Sequence, residues 1–239
     1  MLRAAMLRTL AALSVTGIAC VSPGLEPAYE VQIYDDPGGE VSRIVGLTED
    51  GTVLGEHSEW GCFVSSNDGK TMDLGTLGIG CFPLDINAAG VVVGYSTVEP
   101  GVRRAFVWDG EAGLRSLGTL GGMRSRAIAI SDAGVVTGWS ETAGKGGRSH
   151  MFVWTESEGL VDINCPGRGE CGGGAVDGQG RVYGACGRGG NYEVVMWSKG
   201  SGCVGLGAVD RIVRMWFGSA GNALVVTTGR EILVSRDAG

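Results

Sequence analysis

The sequence predicts an all-β fold made of repeated antiparallel sheet modules, and three observations carry that expectation. A set of landmarks recurs at near-constant spacing along the 239-residue chain. No stretch past the first 28 residues shows the apolar periodicity of a helix. Glycine supplies 45 residues, more than twice the usual share of roughly 7%. These glycines recur in turn sequences, and with only 6 prolines they form neither a collagen repeat nor a Pro/Gly linker.

Residues 1–19 read as a secretory signal peptide. Arg3 and Arg8 form its positive region, and residues 10–19 are uncharged and mostly apolar. That stretch is short of the roughly 20 residues a membrane-spanning helix needs. Two readings of its end stay open. Cleavage before Cys20 with lipid added to its sulfur would leave residues 20–28 as a tether. The segment Thr16-Gly17-Ile18-Ala19-Cys20 resembles a lipobox, with Gly17 where that pattern carries an aliphatic. The other reading is ordinary cleavage at a Gly-x-Ala site. Either way the protein is expected to be exported, to the cell envelope or beyond, with a membrane contact only through its N-terminus.

The body of the chain, 29–239, is repetitive. Ala105-Phe106-Val107-Trp108-Asp109 returns as Met151-Phe152-Val153-Trp154-Thr155, with weaker copies around Phe63, Val195 and Ile232. Successive spacings of these five landmarks are 43, 46, 43 and 37 residues. An aliphatic follows eleven residues after each of the first four, at Leu74, Leu117, Ile163 and Leu206. A turn glycine precedes each landmark, at Gly51, Gly90, Gly134, Gly180 and Gly221. Each unit holds four short strand signals; in the second they are 84–86, 91–95, 105–108 and 114–117. Continuous apolar runs such as Val91-Val92-Val93 suit strands covered on both faces.

Four antiparallel strands every 40–45 residues or so is the signature of a propeller blade. The expected architecture is a five-bladed β-propeller of four-stranded antiparallel blades. The fifth unit stops after its third strand, and the mature chain opens on a lone strand at 29–34. That strand is expected to complete the last blade and close the ring, leaving no open edge.

The unit is similar to the HAF repeat, a family of exported bacterial proteins. The matching residues are Ala105, Phe106, Trp108, Leu117, Gly118, Thr119, Leu120, Gly121, Gly122, Ala127, Ile130, Gly134, Val136 and Gly138. Units one to three match well, while units four and five are degenerate. The resemblance implies an extracytoplasmic, propeller-like fold and no particular activity.

Formal charge is −7, from 19 basic and 26 acidic residues, which argues against a nucleic-acid partner. Strand alternation assigns the loops to two faces. One face collects arginines, of which Arg103, Arg104, Arg126, Arg148 and Arg211 are the candidate ligand-binding residues. The loops of that face, 96–104, 140–149 and 186–192, with 121–126 and 165–171, carry most of the length variation, and variable loops on a rigid scaffold commonly carry binding. The expected partner is an acidic glycan or the carboxylates of another protein, bound by forked hydrogen bonds. The opposite face collects acids, among them Asp50, Asp68, Asp109, Asp132 and Asp177. The third-strand aromatics are expected to pack blade on blade.

Setting Cys20 aside leaves Cys62, Cys81, Cys165, Cys171, Cys186 and Cys203, an even set that suggests disulfides in an exported protein. Strand placement predicts Cys62–Cys81 and Cys165–Cys171. Elimination then leaves Cys186 and Cys203, which fall at opposite ends of their blade. The absence of paired C-x-x-C spacing argues against a metal site, and no cofactor is expected. The first strands offer Asp85 to the channel without a second acid, and His57 and His150 fall in loops. The sequence therefore favours a non-catalytic, monomeric binding module. The alternative is a propeller hydrolase acting on glycans, which would need a carboxylate pair across the channel.

Overall fold

A computed structural model describes residues 41–58, 61–144, 147–209, 214–217, 223–227 and 232–236. All of these belong to one compact unit, 36–239. Every regular element among them is a strand, and none is a helix long and apolar enough to cross a membrane. The first module comprises β1 (Val41–Leu47), β2 (Val53–His57), β3 (Gly61–Ser65) and β4 (Thr71–Asp73). The second comprises β5 (Gly80–Ile86), β6 (Val92–Glu99), β7 (Val102–Asp109) and β8 (Gly113–Gly118). The third comprises β9 (Gly121–Ile130), β10 (Val136–Thr142), β11 (Ser149–Thr155) and β12 (Gly159–Asp162). The fourth comprises β13 (Glu170–Val176), β14 (Val182–Arg188), β15 (Asn191–Ser198) and β16 (Gly202–Val209). A further sheet holds three strands, β17 (Arg214–Phe217), β18 (Ala223–Thr227) and β19 (Ile232–Arg236).

Within every module each strand pairs antiparallel with the next in sequence. The first strands lie beside one another, β1 against β5, β5 against β9, β9 against β13 and β13 against β17. The strand expected at 29–34 lies outside the described residues. Modules two and three are joined into one eight-stranded sheet, which the repeat spacing does not suggest. The cause is local. β8 ends at Gly118, whose φ of 79° turns the chain away, and the vacated edge of β7 pairs parallel with the start of β9 at Arg103 and Arg124.

The turn between first and second strands is the same in four modules. Its first residue, Thr48, Asn87, Ser131 or Asp177, receives the amide of the residue four positions on at its side-chain oxygen. Gly51, Gly90, Gly134 and Gly180 close that turn at φ between 74° and 86°, where a Cβ would be strained. The acids of the second face do much the same work. Asp109 receives the amides of Glu111 and Ala112, and Asp132 receives that of Ala88 in the neighbouring module. Asp68 receives the Lys70 amide, and its bond to the Lys70 ammonium holds its pKa down to about 2. The acidity of that face is thus largely turn chemistry.

The first strands of modules one to four share a β-bulge at the same height. The skipped residues are Val45, Leu84, Ile128 and Gly174, opposite second-strand glycines Gly55, Gly94, Gly138 and Gly184. The bulge presses the first strand against those glycines, so the repeated glycine is a packing requirement. The core lies between modules. Phe106 and Phe152 are fully buried and Trp108 nearly so, which matches the packing role expected of the third-strand aromatics.

Candidate functional site

Two residue rungs near the arginine-bearing end build the site. In β5 and β6, Phe82 faces Tyr95, and their rings stack at 4.7 Å with an interplanar angle of 11°. In β9 and β10, Arg126 faces Trp139. The Arg126 guanidinium lies 4.2 Å from the Tyr95 ring centre and 5.5 Å from that of Trp139. A ladder Phe82–Tyr95–Arg126–Trp139 therefore runs across modules two and three. Arg103 approaches the same tyrosine, 5.5 Å from its centre.

These contacts do not neutralise the arginines. Among the described residues no carboxylate forms an ion pair with Arg103 or Arg126. The Nε of Arg126 is buried without a hydrogen-bond partner. Burial, reinforced by the neighbouring charges of Arg103 and Arg124, lowers the Arg126 pKa, with Tyr95 acting the other way. It remains a cation at neutral pH. The arrangement holds one guanidinium over aromatic rings, with a second beside it. Such pairs suit carboxylate recognition, because the planar fork is already oriented.

The other candidates divide. Arg104 is spent on the backbone, donating to the carbonyl oxygens of Met123 at 2.6 Å and Arg103 at 3.0 Å. Arg124, at the rim, pairs with Glu141 at 2.7 Å. Arg148 is exposed beside β11, and its described hydrogen bonds run through its carbonyl to Thr142. Arg211 lies outside the described residues. One expectation is corrected: Arg103 and Arg104 sit on β7, not in a loop, because β6 and β7 extend to a tight turn at 100–101. The polar residues Ser96, Thr97, Arg103 and Arg104 give no apolar strand signal, yet they pair in register.

The histidines also move out of loops. His57 ends β2 and is buried, and His150 lies in β11 with Nδ1 2.8 Å from Asp162. Asp85, the acid expected in the channel, receives the amides of Ile86 and Ile130. Through the latter it braces two modules.

The cysteines form three disulfides, Cys62–Cys81, Cys165–Cys203 and Cys171–Cys186. The first agrees with the sequence expectation. The pairings Cys165–Cys171 and Cys186–Cys203 are corrected. Cys171 and Cys186 are direct partners across β13 and β14, with Cα atoms 4.1 Å apart. The connecting segment carries Cys165 over module four to β16, where Cys203 waits. The sulfurs of Cys165, Cys171 and Cys186 lie within 4.8 Å of one another, a spacing that could suit a soft cation, but each is committed to a disulfide.

No family model matches the chain, and no curated protein matches it. Solved structures resemble it. Against a putative TolB from Agrobacterium tumefaciens the TM-score is 0.56 at 17% identity, covering 79% of this chain and 73% of that one. Against TolB from Acinetobacter baumannii it is 0.53 at 14% identity, covering 77% of this chain and 47% of that one. Against the Dos1 propeller it is 0.50 at 10% identity, covering 77% and 52%. The chain spans about half the length of the last two. The likeness is one of fold: an all-β, propeller module.

Proposed function

We propose that this protein is an exported, non-catalytic five-bladed propeller, closed by its strand at 29–34 and tethered through Cys20, that binds carboxylate-bearing ligands on its arginine face. Acidic glycans and the carboxylates of a protein surface are the ligand classes. The observation that carries the reading is the Arg126 guanidinium held between Tyr95 and Trp139, beside Arg103, with no carboxylate partner among the described residues. The disulfides fit an oxidising compartment, and the resemblance of units one to three to HAF repeats supports export. The hydrolase alternative draws on Asp85, which the amides of Ile86 and Ile130 already engage.

Retention on an array of uronate-bearing and neutral glycans tests the reading. Arg103→Ala with Arg126→Ala should abolish retention on the uronate glycans, while Arg104→Ala should change it little. Equal retention by wild type and the double variant would refute the site.

A further inference from the structure

Module four replaces a repeated hydroxyl device with sulfur. At the arginine-bearing end of modules two, three and four, one rung pairs a first-strand residue with a second-strand residue. The pairs are Cys81 with Ser96, Ser125 with Ser140, and Cys171 with Cys186. A connecting segment crosses above each rung. Before module two, the Leu74 amide bonds back to the third strand at Cys62, and Thr76, two residues on, meets the Ser96 hydroxyl at 3.0 Å. Before module four, the Ile163 amide bonds back to Met151 in the same way, and two residues on stands Cys165. Thr76 and Ser96 of one interface thus correspond to Cys165 and Cys186 of the other. A hydroxyl–hydroxyl hydrogen bond has become a sulfur–sulfur approach, with Cys165, Cys171 and Cys186 mutually within 4.8 Å.

These three sulfurs are buried, at 1%, 2% and 1% exposure, whereas Cys203, the partner of Cys165, is only partly buried. Access from solvent and contact between the two disulfides therefore meet in one bonded pair. We infer that the cluster is a thiol–disulfide exchange centre in which Cys165 transfers an opening at Cys203 to the buried Cys171–Cys186 bond. An external thiolate, from a small or protein thiol, attacks the Cys203 sulfur. The Cys165–Cys203 bond breaks, a mixed disulfide forms on Cys203, and Cys165 leaves as thiolate. That thiolate attacks the Cys186 sulfur, the counterpart of the Ser96 hydroxyl that Thr76 meets. A Cys165–Cys186 bond forms, the Cys171–Cys186 bond breaks, and Cys171 leaves as thiolate and takes up the proton that the external thiol gave up. Two sulfur–sulfur bonds break and two form, with no net oxidation. Thiol access at the surface is converted into a changed crosslink inside module four.

A single variant exposes the step without an external thiol. Cys203→Ser leaves Cys165 as an odd sulfur beside an intact disulfide. The purified variant is quenched in acid, unfolded, alkylated with N-ethylmaleimide and digested with trypsin. Arg168 and Arg181 separate Cys165, Cys171 and Cys186 onto different peptides. The expected result is a Cys165–Cys186 linked peptide with alkylation on Cys171. Alkylation confined to Cys165, with Cys171–Cys186 retained, would overturn the inference. Cys165→Ser breaks the same bridge from its other end and should carry alkylation on Cys203 alone. Scrambling onto Cys171 or Cys186 in that variant as well would show loss of structure rather than transfer by Cys165, and would equally overturn it.

Discussion

Replacing Gly138 by alanine tests the joint between scaffold and site. Gly138 stands on β10 opposite Ala127, where the β9 bulge brings the backbone close. A Cβ there would lie 2.9 Å from the Arg126 carbonyl carbon and 3.0 Å from Ala127 Cα, with the Arg126 carbonyl oxygen closer still. All three neighbours are backbone, so no side-chain rotation relieves the clash. Overpacking of this kind costs about 1–3 kcal/mol, and the rigid neighbours place Gly138→Ala near the upper end. For a domain of this size each kcal/mol lowers Tm by roughly 2–4 °C, so a fall of about 6–12 °C is expected. The strand that must yield carries Arg126, so the stack on Tyr95 and Trp139 should loosen too, with a change in near-ultraviolet circular dichroism. Gly178→Ala is the control, since a Cβ there meets nothing within 4 Å, and a surface change of this sort costs within about 0.5 kcal/mol. Thermal melts with the same Tm for both variants would refute the claim that the repeated second-strand glycine is imposed by the bulge.

Three further outcomes follow from the same packing. Ser96→Ala should cost about 2 kcal/mol in urea unfolding, because the buried hydroxyl accepts the Leu77 amide and donates to the Gly80 carbonyl, and both would be left unpaired; an unchanged midpoint would contradict this. Removing Cys62–Cys81 by a double change to serine should cost about 3 kcal/mol, the closure entropy of a loop with sequence separation 19, and a loss below 1 kcal/mol or so would count against that bond. Arg115 joins Asp109 of its own module to Glu156 of the next and lowers the Glu156 pKa through their hydrogen bond. Backbone amides, first that of Ala112, lower the Asp109 pKa, with Arg115 adding to it. Because both folded values are depressed, this stabilisation is present above the ordinary carboxylate range and lost as pH falls through it. The urea-midpoint gap between wild type and Arg115→Met should therefore shrink between about pH 5 and pH 3, and a gap independent of pH would remove the ion-pair explanation.

The modular architecture was legible because its cause is repeated. The turn glycines, the third-strand aromatics and the aliphatic at Leu74, Leu117 and Ile163 each serve one steric purpose in successive modules, so spacing alone exposes them. The site was legible only in half. Arg103 and Arg126 stood out by charge, but Phe82, Tyr95 and Trp139 did not, since the aromatic before the second-strand serine recurs only in units two and three. The signal available was register: Phe82 and Arg126 each follow a first-strand rung residue, and Tyr95 and Trp139 each precede a second-strand serine. Aligning units by that rung would have placed all four together. The disulfide pairing failed for a related reason. Strand placement put Cys165 and Cys171 at the two ends of one connecting loop, whereas strand register sets Cys171 against Cys186.

What varies along the repeat is therefore the better guide to function than what recurs. At the position of Arg126 the first strands carry Arg43, Phe82 and Gly172 in the other described modules, and opposite them stand Glu56, Tyr95 and Ala185. Arg43 is neutralised by Glu56 at 2.8 Å, and Gly172 offers no side chain. Packing requirements cannot explain such divergence at equivalent backbone positions, because the same bulge and the same glycine support every one of them. The scaffold tolerates an ion pair, an aromatic pair, a cation–aromatic pair and a bare backbone at one height. Only modules two and three combine rings with a cation left without a carboxylate partner among the described residues. That asymmetry separates the site from the repeat that carries it, and it directs mutagenesis to Arg126 and Arg103 ahead of the more numerous arginines around them.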